Sequence, residues 1–242
     1  MIKLLIFDVG GVLRDSSNLM DYAFRKGFEF VGIKIPFPKE DLWKLRGIGK
    51  YNNSRACASA ILVCIKTQTN LRNVIEKENA EEFLDNSIQK LDKIDQAKLD
   101  KILPIYKKEF HEGSGDLVKI IENVPEALEK LSKKYILAIF SNSSATTIKR
   151  DVGPLLSKFS LVISEEDVKN KKPSGEGIIK VCEKLGISPK EAAYVGDSQV
   201  DIQAAKDAGC VSIALLSGMG LKVHLEKLKP NYIFENLLKI SI

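Results

Sequence analysis

Five short runs, Ile2–Phe7, Ile136–Phe140, Leu161–Ser164, Ala193–Gly196 and Val211–Leu215, are apolar on successive positions rather than on alternate ones. That pattern belongs to strands covered on both faces, as in a parallel sheet. Amphipathic segments separate the later runs. Pro125–Lys133 carries Leu128 and Leu131, and Ser174–Leu185 carries Ile178, Ile179, Cys182 and Leu185 before Gly186, a favourable helix end. Ser188-Pro-Lys-Glu191 has the form of a capping box with proline at the first helical position, and Asp201–Ala208 stops at Gly209. Strands that alternate with helices imply right-handed crossovers and an α/β fold with a doubly wound, Rossmann-like parallel sheet.

The alternation breaks off after the first run. From Ser17 to Gly115 the chain holds helical stretches (Leu19–Val31, Lys39–Arg46, Ser54–Cys64, Asn70–Glu78, Ala80–Leu91, Ala97–His111), no convincing strand, and then a Gly113-Ser114-Gly115 breaker. The expected organisation is an α/β core over residues 1–16 and 116–242 with an all-α cap domain, residues 17–115, inserted into it. The 242 residues are enough for both parts to bury a core.

Composition narrows the chemistry. Four cysteines (Cys57, Cys64, Cys182, Cys210) lie far apart without a Cys-x-x-Cys pair, and only two histidines are present, so zinc ligation lacks ligands. The same scarcity of His disfavours a Ser-His-Asp or Cys-His hydrolase. The 37 Lys and Arg against 32 Asp and Glu give +5, spread through mixed-sign sequence, which reads as solvated surface and not as a nucleic-acid footprint. No apolar run approaches the ~18 residues of a membrane span. The opening Ile2–Phe7 is cut off by Asp8, too short for a secretory segment, so a cytoplasmic location is expected. Chemistry then falls to carboxylates, lysines or a metal.

Open α/β sheets bind ligands at the carboxyl ends of their strands. The first run ends in Asp8-Val-Gly-Gly-Val-Leu13, the second in Ser141-Asn142, and a later one in Gly196-Asp197-Ser-Gln-Val-Asp201, while Lys171-Lys172-Pro173 precedes a helix. A lone carboxylate at such a junction is as often a turn or helix cap as a functional group. Four polar junctions in order are harder to explain that way.

In these stretches the sequence resembles the haloacid dehalogenase superfamily, in its phosphatase-like subgroup of phosphoglycolate phosphatases and β-phosphoglucomutase-like proteins. The family's strand-terminal Asp motif, its Ser or Thr, its Lys-Pro and its Gly-Asp-x-x-x-Asp look like Asp8–Leu13, Ser141, Lys172-Pro173 and Gly196–Asp201. The helical insert stands where the family carries its cap. The resemblance implies a Mg²⁺-dependent phosphatase that acts on a small phosphorylated metabolite, with no nucleic-acid or membrane partner. It implies Asp8, Ser141 and Lys172 as catalytic, Gly11 and Asn142 as phosphate-binding, and Asp8, the Gly10 carbonyl, Asp197 and Asp201 as the metal site. Nothing in the sequence speaks to oligomeric state.

The chemistry is consistent with those roles. A carboxylate such as Asp8 can attack phosphorus and hold the phosphoryl group as an aspartyl phosphate, which divides one hard hydrolysis into two steps. Mg²⁺ prefers oxygen ligands of the kind that Asp8, Asp197 and Asp201 supply. Lys172 offers a point charge, and Ser141 with the N–H groups of Asn142 and Ser143 stands where a helix N-terminus would cradle phosphate. Lys169 and Lys171 compete with Lys172 for the lysine role.

One position departs from the family. Two residues after the nucleophile its phosphatases carry a second Asp that handles the proton, and this chain has Gly10. Loss of a general acid–base is worth roughly 10²–10⁴-fold, about 3–5 kcal/mol of barrier. Three explanations stand: substrates with good leaving groups, or a proton supplied by a cap residue or water chain; a slow or non-catalytic phosphate- or protein-binding member; or a haloacid dehalogenase, which the retained Gly196–Asp201 motif disfavours. Within the insert, Leu45-Arg-Gly-Ile-Gly-Lys50 resembles the family's specificity loop and implies Arg46 and Lys50 as substrate-discriminating residues, although basic residues beside glycines are commonly solvated turns. Cys57 and Cys64, seven apart, read as cap core.

Overall fold

The computed structural model describes residues 1–113 and 115–242. Ser114, part of the expected breaker, lies outside the described residues. The chain divides into two compact units, one made of Met1–Asp15 and Lys119–Ile242 and the other of Ser16–Val118.

In the first unit the chain runs β1 (Leu4–Phe7) and β2 (Arg14–Asp15) before it leaves for the second. There it forms α1 (Ser17–Phe30), α2 (Lys39–Arg46), α3 (Ser54–Lys66), α4 (Leu71–Ile75), α5 (Ala80–Ile88) and α6 (Lys93–Glu112). It returns through β3 (Lys119–Ile120), α7 (Val124–Leu131), β4 (Ile136–Phe140), α8 (Ala145–Val152), β5 (Leu161–Ile163) and α9 (Glu176–Leu185). It closes with β6 (Ala192–Gly196), α10 (Gln199–Asp207), β7 (Val211–Leu215), α11 (Lys222–Lys227) and β8 (Tyr232–Phe234). β2 and β3 pair antiparallel, Arg14 opposite Ile120, at the point where the chain departs and re-enters.

The main sheet is parallel throughout, in the order β5-β4-β1-β6-β7-β8. Successive residues of β1 face opposite sides, as the period of a strand requires. Leu5 and Phe7 join a core with Val124, Leu128 and Leu131 of α7 and Ile148 and Val152 of α8. Leu4 and Ile6 join one with Ile178, Val181 and Cys182 of α9 and Ala204 and Ala205 of α10. This is the doubly wound sheet that the unbroken apolar runs imply. The strand order reverses at β1, so its carboxyl end lies at the crevice where such sheets bind ligands.

The second unit is helical among its described residues. α1 and α6 pack against each other, and Leu19, Met20, Phe24 and Phe28 of the first and Leu99, Ile102 and Tyr106 of the second are buried. Phe24 and Tyr106 stack at 4.1 Å between ring centres. A Cβ at Gly27 would stand 2.9 Å from the Ile102 carbonyl oxygen, so glycine there permits the close crossing. All four cysteines are buried and free, and burial pushes the Cys57 thiol up to about 12 and the Cys64 thiol to about 11, so both are inert core groups.

Some expected elements differ. Ser188–Glu191 makes one 3-10 turn, not a helix start: Ser188 Oγ caps Lys190 N, and Ala192 then enters β6 beside β1, whose pairing overrides the capping signal. The helix expected from Ala97 starts at Lys93, because Asp92 and Asp95 form a reciprocal capping box. Asn70–Glu78 keeps only Leu71–Ile75 as helix. No described helix is long and apolar enough to cross a membrane.

Candidate active site

Asp8 follows the last residue of β1, and its N–H donates to the Val195 carbonyl at 2.9 Å, which continues the sheet by one rung. Lys172 comes to it from the loop before α9 and is buried, 8% exposed. Its Nζ lies 2.9 Å from Asp8 Oδ1 and 2.7 Å from Asp201 Oδ1, and donates to the Tyr194 hydroxyl at 2.9 Å. The three candidate lysines are thereby separated. Lys171 is exposed and pairs with Glu165, Lys169 is exposed, and only Lys172 enters the cluster.

Asn142 sets the backbone of that loop. Its Oδ1 accepts from Lys172 N at 2.9 Å and its Nδ2 donates to Lys172 O at 3.2 Å. The Asn142 side chain is therefore committed to the lysine loop. Ser141, at the end of β4, is buried; its N–H donates to Ile163 O, and its Oγ accepts from Ser143 N at 3.3 Å.

Asp201 does local work as well. Ser198 and Asp201 form a capping box at the start of α10, and Asp201 Oδ2 accepts from Ser198 Oγ at 2.6 Å, Ser198 N at 3.0 Å and Asp197 N at 3.2 Å. Oδ1 is left for Lys172. Asp197 is 0% exposed and lies in a cradle of glycines. Its Oδ2 accepts from Met219 N at 2.6 Å, while Oδ1 has no protein partner. A Cβ at Gly11 or at Gly218 would stand 2.0 Å from Oδ2. Gly11 also has φ +73°, the left-handed region that favours glycine. It is thus a seat for Asp197, whereas a Cβ at Gly10 would meet nothing within 4 Å.

Asp8, Asp197 and Asp201 each bring a carboxylate oxygen within 4.8 Å of the others. Three carboxylates against one ammonium leave a buried excess of two negative charges. Burial, then Asp201 and Asp8, push Asp197 well above the ordinary carboxylate range, and burial with Asp201 outweighs Lys172 to push Asp8 up. Burial opposes the charged form of Lys172, but Asp201 and Asp8 overcome it and hold the ammonium well above the usual lysine range. A divalent cation fits: it would balance the excess charge and give the orphaned Asp197 oxygen a partner.

Arg46 and Lys50 belong to the helical unit. Arg46 donates to the Tyr106 hydroxyl at 3.1 Å and to Asn52 O at 2.6 Å, and Lys50 pairs with Asp85 at 2.8 Å. Two participants escaped the sequence reading. Tyr194 carried a signal, the one large side chain in the run Ala192-Ala-Tyr-Val-Gly196, and the Met219 N–H sits in a Gly-x-Gly turn after β7.

A strand-end carboxylate that faces a buried lysine and two more carboxylates, on a doubly wound sheet, is the candidate centre of a hydrolase, and none of these four side chains is a histidine. The chain belongs to the haloacid dehalogenase-like hydrolase family, whose model matches residues 55–215. That span takes in Ser141, Lys172, Asp197 and Asp201; Asp8 precedes it. Among curated relatives, the pyrophosphatase PpaX of Bacillus mycoides is 29% identical over 171 residues, which is 68% of this chain and 79% of that protein. PpaX of Bacillus cereus strain AH820 is likewise 29% identical, over 68% and 78% of the two chains. Among solved structures, a provisionally assigned phosphoglycolate phosphatase from Lactobacillus delbrueckii subsp. bulgaricus superposes with a TM-score of 0.79 at 21% identity, over 98% of this chain and 95% of that one. A predicted phosphoglycolate phosphatase from Haemophilus somnus gives 0.71 at 22% identity, over 98% and 95%. These structures share the fold.

Proposed function

We propose that this protein is a Mg²⁺-dependent phosphatase of small phosphorylated metabolites in the cytoplasm, with Asp8 as nucleophile. The observation that carries the reading is the Lys172 ammonium, which joins Asp8 at 2.9 Å to Asp201 at 2.7 Å beside the unpartnered Asp197 oxygen. An Asp8 oxygen attacks phosphorus, the bond from phosphorus to the leaving oxygen breaks, and that oxygen departs with the electron pair. Water then attacks the aspartyl phosphate and frees Asp8. Asp8, Asp197, Asp201 and the Gly10 carbonyl would hold Mg²⁺, which when bound screens the charge of the approaching phosphoryl group. Lys172 opposes the upward push on the Asp8 carboxyl and keeps it in place, and Ser141 with nearby main-chain N–H groups receives phosphoryl oxygens.

Gly10 narrows the substrate. With no side chain there, a leaving oxygen must depart without a proton from that position, which favours leaving groups of low basicity. Acyl phosphates, anomeric phosphates and phosphoanhydrides qualify, and in pyrophosphate the leaving group is phosphate itself. The pyrophosphatase relatives accord with this class. The test is phosphate release from pyrophosphate, acetyl phosphate and simple sugar phosphates, with and without Mg²⁺. Turnover should require Mg²⁺, be greatest on the first two, and vanish in Asp8→Asn. Gly10 also favours a second reading, a phosphate-binding member with little or no turnover. Binding of inorganic phosphate with no release from any substrate would establish it.

A further inference from the structure

An ammonium has three protons, and three acceptors surround Lys172 Nζ: Asp8 Oδ1 at 2.9 Å, Asp201 Oδ1 at 2.7 Å and the Tyr194 hydroxyl at 2.9 Å. The hydroxyl has one proton of its own, and it donates that proton to the Phe140 carbonyl at 2.8 Å. Only a lone pair is left to face the lysine, so this contact runs one way, from ammonium to phenol. The Phe140 and Tyr194 rings lie 5.8 and 5.4 Å from Nζ and add favourable π faces. Phenylalanine would fill the same volume on β6 and supply the same face. The hydroxyl is the part of Tyr194 that packing does not need.

Two carboxylates compete for one ammonium, and the contact to Asp201 is the shorter. Without a third anchor the ammonium is free to turn toward Asp201 and release Asp8. We propose that Tyr194 is a positioning residue whose hydroxyl completes a tripod on Lys172 and keeps one of its N–H groups on Asp8. The consequence for catalysis rests on the phosphatase reading; the tripod itself does not. A looser ammonium leaves substrate contacts unchanged but lowers the fraction of Asp8 poised to attack, so it acts on kcat and not on KM.

Tyr194→Phe is the test. With pyrophosphate as substrate and Mg²⁺ present, kcat should fall at least fivefold with KM within twofold. The same change in a Lys172→Met background should cost nothing further. Equal losses in both backgrounds, or a loss carried by KM, would overturn the proposal. A second readout needs no turnover. In ¹⁵N-labelled protein the Lys172 ammonium, assigned by its loss in Lys172→Met, should exchange protons with water at least tenfold faster in Tyr194→Phe, and unchanged exchange overturns the tripod. If the wild type hydrolyses none of the phosphates, the phosphatase reading fails while the exchange measurement still decides the tripod. Should Tyr194→Phe fail to fold, 3-fluorotyrosine labelling replaces it. The ¹⁹F resonance of residue 194 should move in Lys172→Met, and an unmoved resonance overturns the proposal.

Discussion

Asn142 grips both main-chain polar groups of Lys172 with one amide, accepting from its N–H at 2.9 Å and donating to its carbonyl at 3.2 Å. The second residue after β4 thus sets the path of a loop 30 positions later. Asn142→Ala leaves two partly buried backbone groups without partners, at a cost of about 1–3 kcal/mol. Thermal unfolding should show that loss, and phosphate release should fall at least tenfold. Asn142→Asp should not rescue, because its second oxygen would face the Lys172 carbonyl and cannot donate.

Gly10→Asp tests the proton argument. The position is open to a Cβ and its φ is not left-handed, so the side chain enters without backbone strain. Turnover should rise most for esters with poor leaving groups, by roughly 10-fold or more, and little for acetyl phosphate. An equal rise for all substrates, or none, would show that proton transfer is not what the wild type lacks. Steady-state rates across a leaving-group series give the answer.

Gly11 and Gly32 share φ +73°, but only Gly11 faces a neighbour, the Asp197 carboxylate. Gly32→Ala should therefore cost the left-handed term alone, about 1–2 kcal/mol. Gly11→Ala should cost more and weaken Mg²⁺ binding, because Asp197 must move. Calorimetric titration with Mg²⁺ and thermal melts of the two variants separate the effects.

At the start of α6 the Asp95 N–H, and after it Lys66, lower the Asp92 carboxyl to about 2. A depressed carboxyl contributes stability above its unfolded value of 3.8 and loses it as pH falls through the folded one. The first turn of α6 should therefore fray between pH 4 and about 2. Raised salt should weaken the Lys66 contribution and spare the backbone bond. Amide exchange of Asp95 against pH measures it.

The sheet was legible because both-face burial leaves unbroken apolar runs, and five of its six strands can be read that way. The sixth, Tyr232–Phe234, is a short, partly exposed edge strand whose pattern does not stand out. Asp8 and Asp197 could be picked out because carboxylates that follow a strand are conspicuous, and Lys172 and Asp201 because they match the Lys-Pro and Gly-Asp-x-x-x-Asp motifs of the family. What they are tied to could not. The Asn142 amide could serve a ligand or the chain, and only the nearness of Lys172 decides between them. Tyr194 reads as an ordinary buried aromatic until the ammonium beside its hydroxyl is known. Arg46 beside glycines resembles a solvent-facing turn, yet it bonds Tyr106, 60 positions on.

The central place of β1 bears on how the protein is made. Leu4 pairs with Ile136 on one side and Ala192 on the other, so the strand that carries Asp8 leaves the ribosome long before either neighbour. The helical unit, a continuous stretch that closes when α6 packs on α1, is complete in the interval, and domains generally fold as units, the earlier ones first, during synthesis. An exposed apolar strand that waits for distant partners is prone to aggregate. Leu4–Phe7 is only four residues long and is closed at once by Asp8, a brevity that limits this hazard as well as placing the carboxylate.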